Sequence, residues 1–255
     1  MAYRDTGYKR VCSSLQYPYS YIHLQYGYTF HQWIMYIMEQ DIKDRRPIKA
    51  RQTRWASYLA RALQLRGFTP NTISLFSIFF AFIASISFIF AFRTEHDTTT
   101  RLLLLVGAIG IQGRLLCNLL DGMVAVEGKL RSPVGAVYND LPDRISDSLI
   151  LMGVGYGITV WPFAPTLAWA ATVMAVLTAY IRLLGGSCGL PQRFSGPMAK
   201  QHRMAILTLV SLLALIVPTY GQWLFIAALA VILLGSVVTC INRTRQIMSA
   251  LHIQG

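Results

Sequence analysis

Long apolar runs broken by short polar interruptions occupy the chain from residue 73 onward. Residues 73–92 form the first run, and about twenty apolar residues suffice for a helix to cross a bilayer. Thr69-Pro70-Asn71 stands just before it. A threonine N-cap followed by proline at the first helical position predicts the helix start there. A second run, about 102–120, contains Gln112 and Arg114 and leads into Asn118 and Asp121. Polar groups in such a run are expected to face protein rather than lipid. A third helix is predicted over about 134–160, and Trp161-Pro162-Phe163-Ala164-Pro165 reads as an interfacial turn. Further spans follow at about 166–184, 204–220 and 223–241, the last two separated by Pro218-Thr219-Tyr220-Gly221-Gln222. The pattern predicts an all-α integral membrane protein with six transmembrane helices.

Upstream the pattern changes. Residues 43–66 hold Lys43, Arg45, Arg46, Lys49, Arg51, Arg54, Arg61 and Arg66. Trp55, Leu59, Ala62 and Leu63 fall on one helical face, and Arg54, Ser57, Arg61 and Gln64 on the other. This predicts an amphipathic helix lying on the membrane surface against anionic headgroups. Residues 1–34 carry seven of the thirteen tyrosines with no helical or alternating period. The expected organisation is a poorly ordered tail (1–42), a basic juxtamembrane helix (43–68), a transmembrane domain (69–245) and a C-terminal tail (246–255).

Composition agrees with a membrane protein: 54% of residues are hydrophobic and only 13% charged, with mean hydropathy +0.45. The formal net charge is +12. Placing the N-terminus inside puts the early basic residues, Lys129, Arg131, Arg182, Arg193, Lys200, Arg203, Arg243 and Arg245 on the inner side. Outer loops then keep only Arg93 and Arg101, beside Glu95 and Asp97. This asymmetry places both termini in the cytoplasm and accounts for the charge without nucleic acid. The four cysteines, Cys12, Cys117, Cys188 and Cys240, show neither disulfide nor zinc spacing.

The exception to the apolar pattern is residues 118–147. Asn118 and Asp121 are three apart and share a helical face that Ala125 continues. Asn139, Asp143 and Asp147, each four apart, line one face of the third helix. Gly122 and Gly135 permit close approach of the helices or of a ligand. Carboxylate and amide oxygens are hard donors suited to Mg²⁺, Mn²⁺ or Ca²⁺, and Mg²⁺ pairs few carboxylates with substrate phosphates. Asp140 is off the lined face and is expected to pair with Arg144 at i+4. A second polar constellation runs from Arg182 through a glycine-containing loop to Lys200, His202 and Arg203. Converging backbone N–H groups and cations suit phosphate there, and the same residues also serve the positive-inside charge pattern.

At these positions the chain resembles the CDP-alcohol phosphotransferase family, also called CDP-alcohol phosphatidyltransferases. The family pattern D-x2-D-G-x2-A-R-x8-G-x3-D-x3-D reads here as Asn118-x2-Asp121-Gly122-x2-Ala125-Val126-x8-Gly135-x3-Asn139-x3-Asp143, without a gap. The resemblance covers roughly residues 45–245 and implies the family's six-helix fold. It implies transfer of a phosphatidyl or similar substituted phosphate from CDP-diacylglycerol to an alcohol acceptor, with release of CMP, in phospholipid biosynthesis. Carried over by position, Asn118, Asp121, Asn139 and Asp143 would be ligands of one or two Mg²⁺ or Mn²⁺ ions, with Asp147 as a further candidate ligand. Asp143 would also be the catalytic base, and Gly122, Ala125 and Gly135 would shape the CDP pocket. Arg182, Lys200 and Arg203 would hold an anionic acceptor. A homodimer in the bacterial inner membrane, with a cytoplasmic active site, completes what the family implies.

The departures are specific: two motif aspartates are Asn118 and Asn139, and the motif arginine is Val126. Fewer carboxylates predict weaker metal binding, one ion rather than two, or reliance on the substrate's own phosphates. A catalytically impaired relative, acting as a lipid- or nucleotide-binding membrane scaffold, is the alternative. An ion-conducting protein would spread polar residues through more spans.

Overall fold

The computed structural model describes residues 53–128, 134–191 and 196–254. The expected tail, the early basic residues Lys43 to Arg51, and Lys129, Arg131 and Arg193 lie outside the described residues. Seven α-helices make up the described fold: α1 (Arg54–Leu65), α2 (Pro70–Ala91), α3 (Asp97–Glu127), α4 (Gly135–Gly157), α5 (Ala164–Ser187), α6 (Lys200–Ile216) and α7 (Pro218–Gln254). The predicted start of α2 is observed: Thr69 Oγ1 accepts from Thr72 N at 3.2 Å, with Pro70 beginning the helix.

The all-α expectation holds, and the six-span expectation is corrected. Four of the described helices, α2, α3, α5 and α7, are long and apolar enough to cross a membrane, as in a multi-pass membrane protein. The other two fail for identifiable reasons. Asp140, Asp143, Arg144 and Asp147 occupy the first half of α4, leaving residues 148–157 as its apolar part, about 15 Å of helix. Helix α6 has 17 residues and opens on Lys200, Gln201, His202 and Arg203. The periodic signal found both helices; the charged first half of α4 and the charged first turn of α6 shorten the apolar length. Helix α7, conversely, continues to Gln254, well past the apolar run that announced it.

Helix α2 is the centre of the bundle. It packs along both α3 and α4, which scarcely touch each other, while α5, α6 and α7 close the other side. The reason is side-chain size. One face of α2 carries Ser74, Ser77, Ala81, Ala84, Ser85 and Ala91, all buried. Against it a Cβ on Gly110 of α3 would lie 2.9 Å from the Phe80 carbonyl oxygen, and one on Gly153 of α4 would lie 2.6 Å from Ser85 Cα. Without a hydrophobic force between helices in lipid, such small-residue seams supply the packing. The large apolar contribution comes from α7, where Phe225 meets Phe88 and Phe92 edge-on at 5.4 and 5.8 Å.

Helix α1 lies on the end of α3. Ala56 and Ala60 are buried in one cluster with Leu120 and Val124, while Trp55 and Leu59 stay exposed and Leu63 is partly buried. The protein-facing side of α1 is thus its alanine side, which leaves the tryptophan face free for the bilayer interface.

Gly153→Val should lower the thermal midpoint of the detergent-solubilised protein by several degrees, since overpacking a backbone contact costs about 1–3 kcal/mol. Gly135→Ala meets nothing within 4 Å and should leave that midpoint unchanged.

Candidate active site

Although α2 separates much of α3 from α4, their polar faces are joined directly through Arg114, Asp143 and Asp147. Arg114, Asn118 and Asp121 come from α3, Asp143 and Asp147 from α4, and Lys200 and Arg203 from the start of α6. All but Asn118 and Lys200 are buried, and those two are partly so.

At the centre of this group Asp147 is held between two guanidinium groups. Arg114 Nη2 donates to its Oδ1 at 2.5 Å and Arg203 Nη2 to its Oδ2 at 2.9 Å. Arg114 is 0% exposed and also reaches the backbone carbonyl and Oδ1 of Asp143, each at 3.4 Å. Arg203 donates further to the Met198 carbonyl at 2.9 Å and to Thr178 Oγ1 at 3.5 Å. The pair therefore ties α3, α4, α5 and the turn before α6 to one carboxylate. Nε and Nη1 of Arg114 have no partner among the described residues.

Above this, Lys200 Nζ donates to Asn118 Oδ1 at 2.6 Å and, in a very short contact, to Asp143 Oδ2. The motif positions Asn118 and Asp143 thus meet through a cation supplied by α6. Asp121 lies one turn along α3, its Oδ2 accepting from Ser74 Oγ of α2 at 2.7 Å and its Oδ1 from Gly122 N at 2.5 Å. Asn139, one turn before Asp143, is exposed, and Gly135 begins the same helix. Gly122 and Ala125 are partly buried on α3.

Arg182 joins this group at one remove. It pairs with Asp140 at 2.5 Å, and Arg144 reaches the same oxygen at 3.6 Å, as its i+4 spacing predicts, and Asp143 Oδ2 at 3.7 Å. Arg182 also lines a cavity between α5 and α7 with Gly185, Leu190, Arg243 and Gln246. Arg243 Nη1 donates to the Thr178 carbonyl at 2.5 Å, on the residue whose hydroxyl Arg203 reaches. Sequence reasoning placed Arg114 against protein without giving it a role in the site. Its position four residues before Asn118, on one helical face, was the available signal. The parts of Ser74, Thr178 and Arg243 had none, since each partner is remote in the chain.

Removing one member of a buried ion cluster leaves an uncompensated charge, at about 3–5 kcal/mol. Asp147→Asn should therefore lower the thermal midpoint severely or prevent recovery of monodisperse protein. Asp140→Asn, at the partly exposed rim, should cost under about 1 kcal/mol. Equal midpoints for the two variants would show that Asp147 does not hold the bundle.

No protein-family model matches the chain. In sequence it is 28% identical over 141 residues to inner membrane protein YnbA of Escherichia coli, a match covering 53% of this chain and 65% of that protein. It is 25% identical over 203 residues to phosphatidylinositol phosphate synthase of Mycobacteroides abscessus, covering 75% of this chain and 83% of that one. Among solved structures it resembles phosphatidylinositol phosphate synthase of Mycobacterium tuberculosis. The complex of that protein with manganese and citrate gives a TM-score of 0.63 at 20% identity, covering 76% of this chain and 88% of that one. The form with CDP-DAG bound gives the same score and identity, covering 76% and 94%. The chain thus shares the fold of phosphatidylinositol phosphate synthase and is similar to such a synthase in sequence at low identity.

Proposed function

We propose that the protein transfers a phosphatidyl or similar substituted phosphate from a CDP-linked lipid, CDP-diacylglycerol, to an alcohol acceptor at the cytoplasmic face of the membrane. The observation that carries this reading is the meeting of Asn118, Asp143 and Lys200. Two of these occupy motif positions of the CDP-alcohol phosphotransferase pattern, and the fold is that of a synthase whose solved structure holds CDP-DAG.

In the reaction the acceptor hydroxyl oxygen attacks the lipid-bearing phosphorus. The bond from that phosphorus to the bridging pyrophosphate oxygen breaks, CMP leaves with the bond's electron pair, and the hydroxyl proton passes to Asp143 as general base. Gly122, Ala125 and Gly135 stand where bulk would obstruct the nucleotide. Lys200 supplies a mobile positive charge to an incoming phosphate, with Arg182 on the neighbouring rim. Arg203 serves by fixing Asp147 and the turn that carries Lys200, and Asp147, bonded through both oxygens to guanidinium groups, positions rather than ligates.

The donor set suits a hard divalent ion, Mg²⁺ or Mn²⁺: carboxylates from Asp121 and Asp143 with amide oxygens from Asn118 and Asn139. Two carboxylates are few for two such ions, which favours one, with the substrate's phosphates completing its shell; among the described residues no group of three or more His, Cys, Asp or Glu side chains is placed to hold a metal without them. When bound, that ion would neutralise pyrophosphate charge. A second reading, a non-catalytic lipid- or nucleotide-binding relative, draws on the charge of the cluster, where Arg114, Arg144, Lys200 and Arg203 already meet Asp143 and Asp147.

Asp143→Asn should abolish CMP release from CDP-diacylglycerol by purified protein supplied with candidate alcohols. Turnover kept at the wild-type rate would eliminate Asp143 as the base, and no turnover by wild type with any alcohol would favour the binding relative. Asn118→Asp combined with Asn139→Asp should tighten Mn²⁺ binding; an unchanged titration would show that neither position is a ligand.

A further inference from the structure

The Lys200 ammonium stands on the two oxygens, Asn118 Oδ1 and Asp143 Oδ2, that the proposed metal site requires. From this we infer that Lys200 is an internal cation that competes with the divalent ion: the resting site is neutralised from within, and the ion enters as Lys200 leaves. The inference rests on the reading of Asn118, Asp121, Asn139 and Asp143 as ligand positions.

Three observations support it. The oxygens are the same, so an ammonium hydrogen-bonded to both and a metal ligated by both exclude each other on Asp143 Oδ2. The charge is also met: beside Asp121, Asp143 and Asp147 stand Arg114, Lys200 and Arg203, and Arg144 lies 3.7 Å from Asp143 Oδ2. A divalent ion added to that set brings an excess of positive charge that the departure of Lys200 or the arrival of pyrophosphate relieves. Finally, among the three cations hydrogen-bonded to these carboxylates Lys200 is the one built to move. Arg114 and Arg203 are 0% and 1% exposed, whereas the Lys200 side chain is 16% exposed.

Its backbone, by contrast, is pinned. Met198 N donates to Thr239 Oγ1 at 3.0 Å, and Arg203 N to the Ala199 carbonyl at 3.2 Å. Gly196 has φ +138°, and a Cβ there would lie 2.5 Å from Thr239 Cγ2. The competition therefore needs a side-chain rotation and no movement of the helix.

The test is Mn²⁺ titration of the full-length protein in detergent without nucleotide, read by the electron paramagnetic resonance of free Mn²⁺. Lys200→Met should bind Mn²⁺ at least tenfold more tightly than wild type, while Lys200→Arg, which keeps the charge, should bind as weakly as wild type. Should Lys200→Met not fold by its thermal midpoint, Lys200→Gln carries the same expectation. Equal affinity in wild type and the neutral variants overturns the inference, as does tight binding by Lys200→Arg. In that case tightening by Asn118→Asp with Asn139→Asp shows that the metal site itself survives. Failure of every variant, that double variant included, to bind Mn²⁺ overturns the metal site and the inference together.

Discussion

The buried carboxylates of Asp121, Asp143 and Asp147, met by Arg114, Lys200, Arg203 and, at 3.7 Å from Asp143, Arg144, constrain everything else in this otherwise apolar bundle. An isolated buried charge costs several kcal/mol even after relaxation, so Asp147 and its two arginines cannot be removed singly, and Lys200 can leave only as another cation takes its place. Asp147 accepts one guanidinium on each oxygen, and the two arginines come from helices that lie on opposite sides of it in sequence, α3 and α6. The ion cluster fixes how α3, α4 and α6 meet at their polar ends. Apolar packing alone would leave those ends free to slide, because lipid solvates leucine as well as a neighbouring helix does.

The relation of α3 to α4 follows from a second constraint, the narrowness of α2. Serines and alanines on its buried face allow α3 and α4 to approach it from two sides, with Gly110 and Gly153 among the close approaches. Two helices on one spine scarcely touch each other, and long polar side chains bridge them. Ser74 then contributes directly, since its hydroxyl holds Asp121 at the α2–α3 seam. The same small residues that give the packing thus supply a hydrogen-bond donor to the site.

Much of this was legible in the chain because it is local. Thr69 and Pro70 marked the start of α2, the i, i+3 and i+4 spacings placed Asn118 with Asp121 and Asp143 with Asp147, and Asp140 with Arg144 followed from the same period. The number of membrane-length helices was not legible from periodicity. Helices α4 and α6 have the expected pattern, yet charges occupy the first half of α4 and the first turn of α6, so the apolar part of each is short. The carboxylate and amide partners of Arg114, Lys200 and Arg203 were not legible either, because each lies between 29 and 82 residues away. Sequence alone shows that a buried cation needs an anion; it does not say which one closes upon it.

Lys200 and Arg203 sit three residues apart at the start of one helix and do opposite work, and the difference is in the side chains. Arginine's planar fork holds several acceptors at fixed angles, which suits Arg203 with Asp147, Met198 and Thr178. Lysine is a strongly hydrated point charge on a flexible stem, and it leaves one acceptor for water or phosphate without dismantling a network. Exchanging the two residues would place the flexible charge in the locked core and the rigid fork between Asn118 and Asp143. The first change would leave Asp147 Oδ2 poorly matched, and the second would hold Asp143 and Asn118 shut. On the inferred competition at Lys200, the order Lys then Arg at the start of α6 separates a site that must open from a joint that must not.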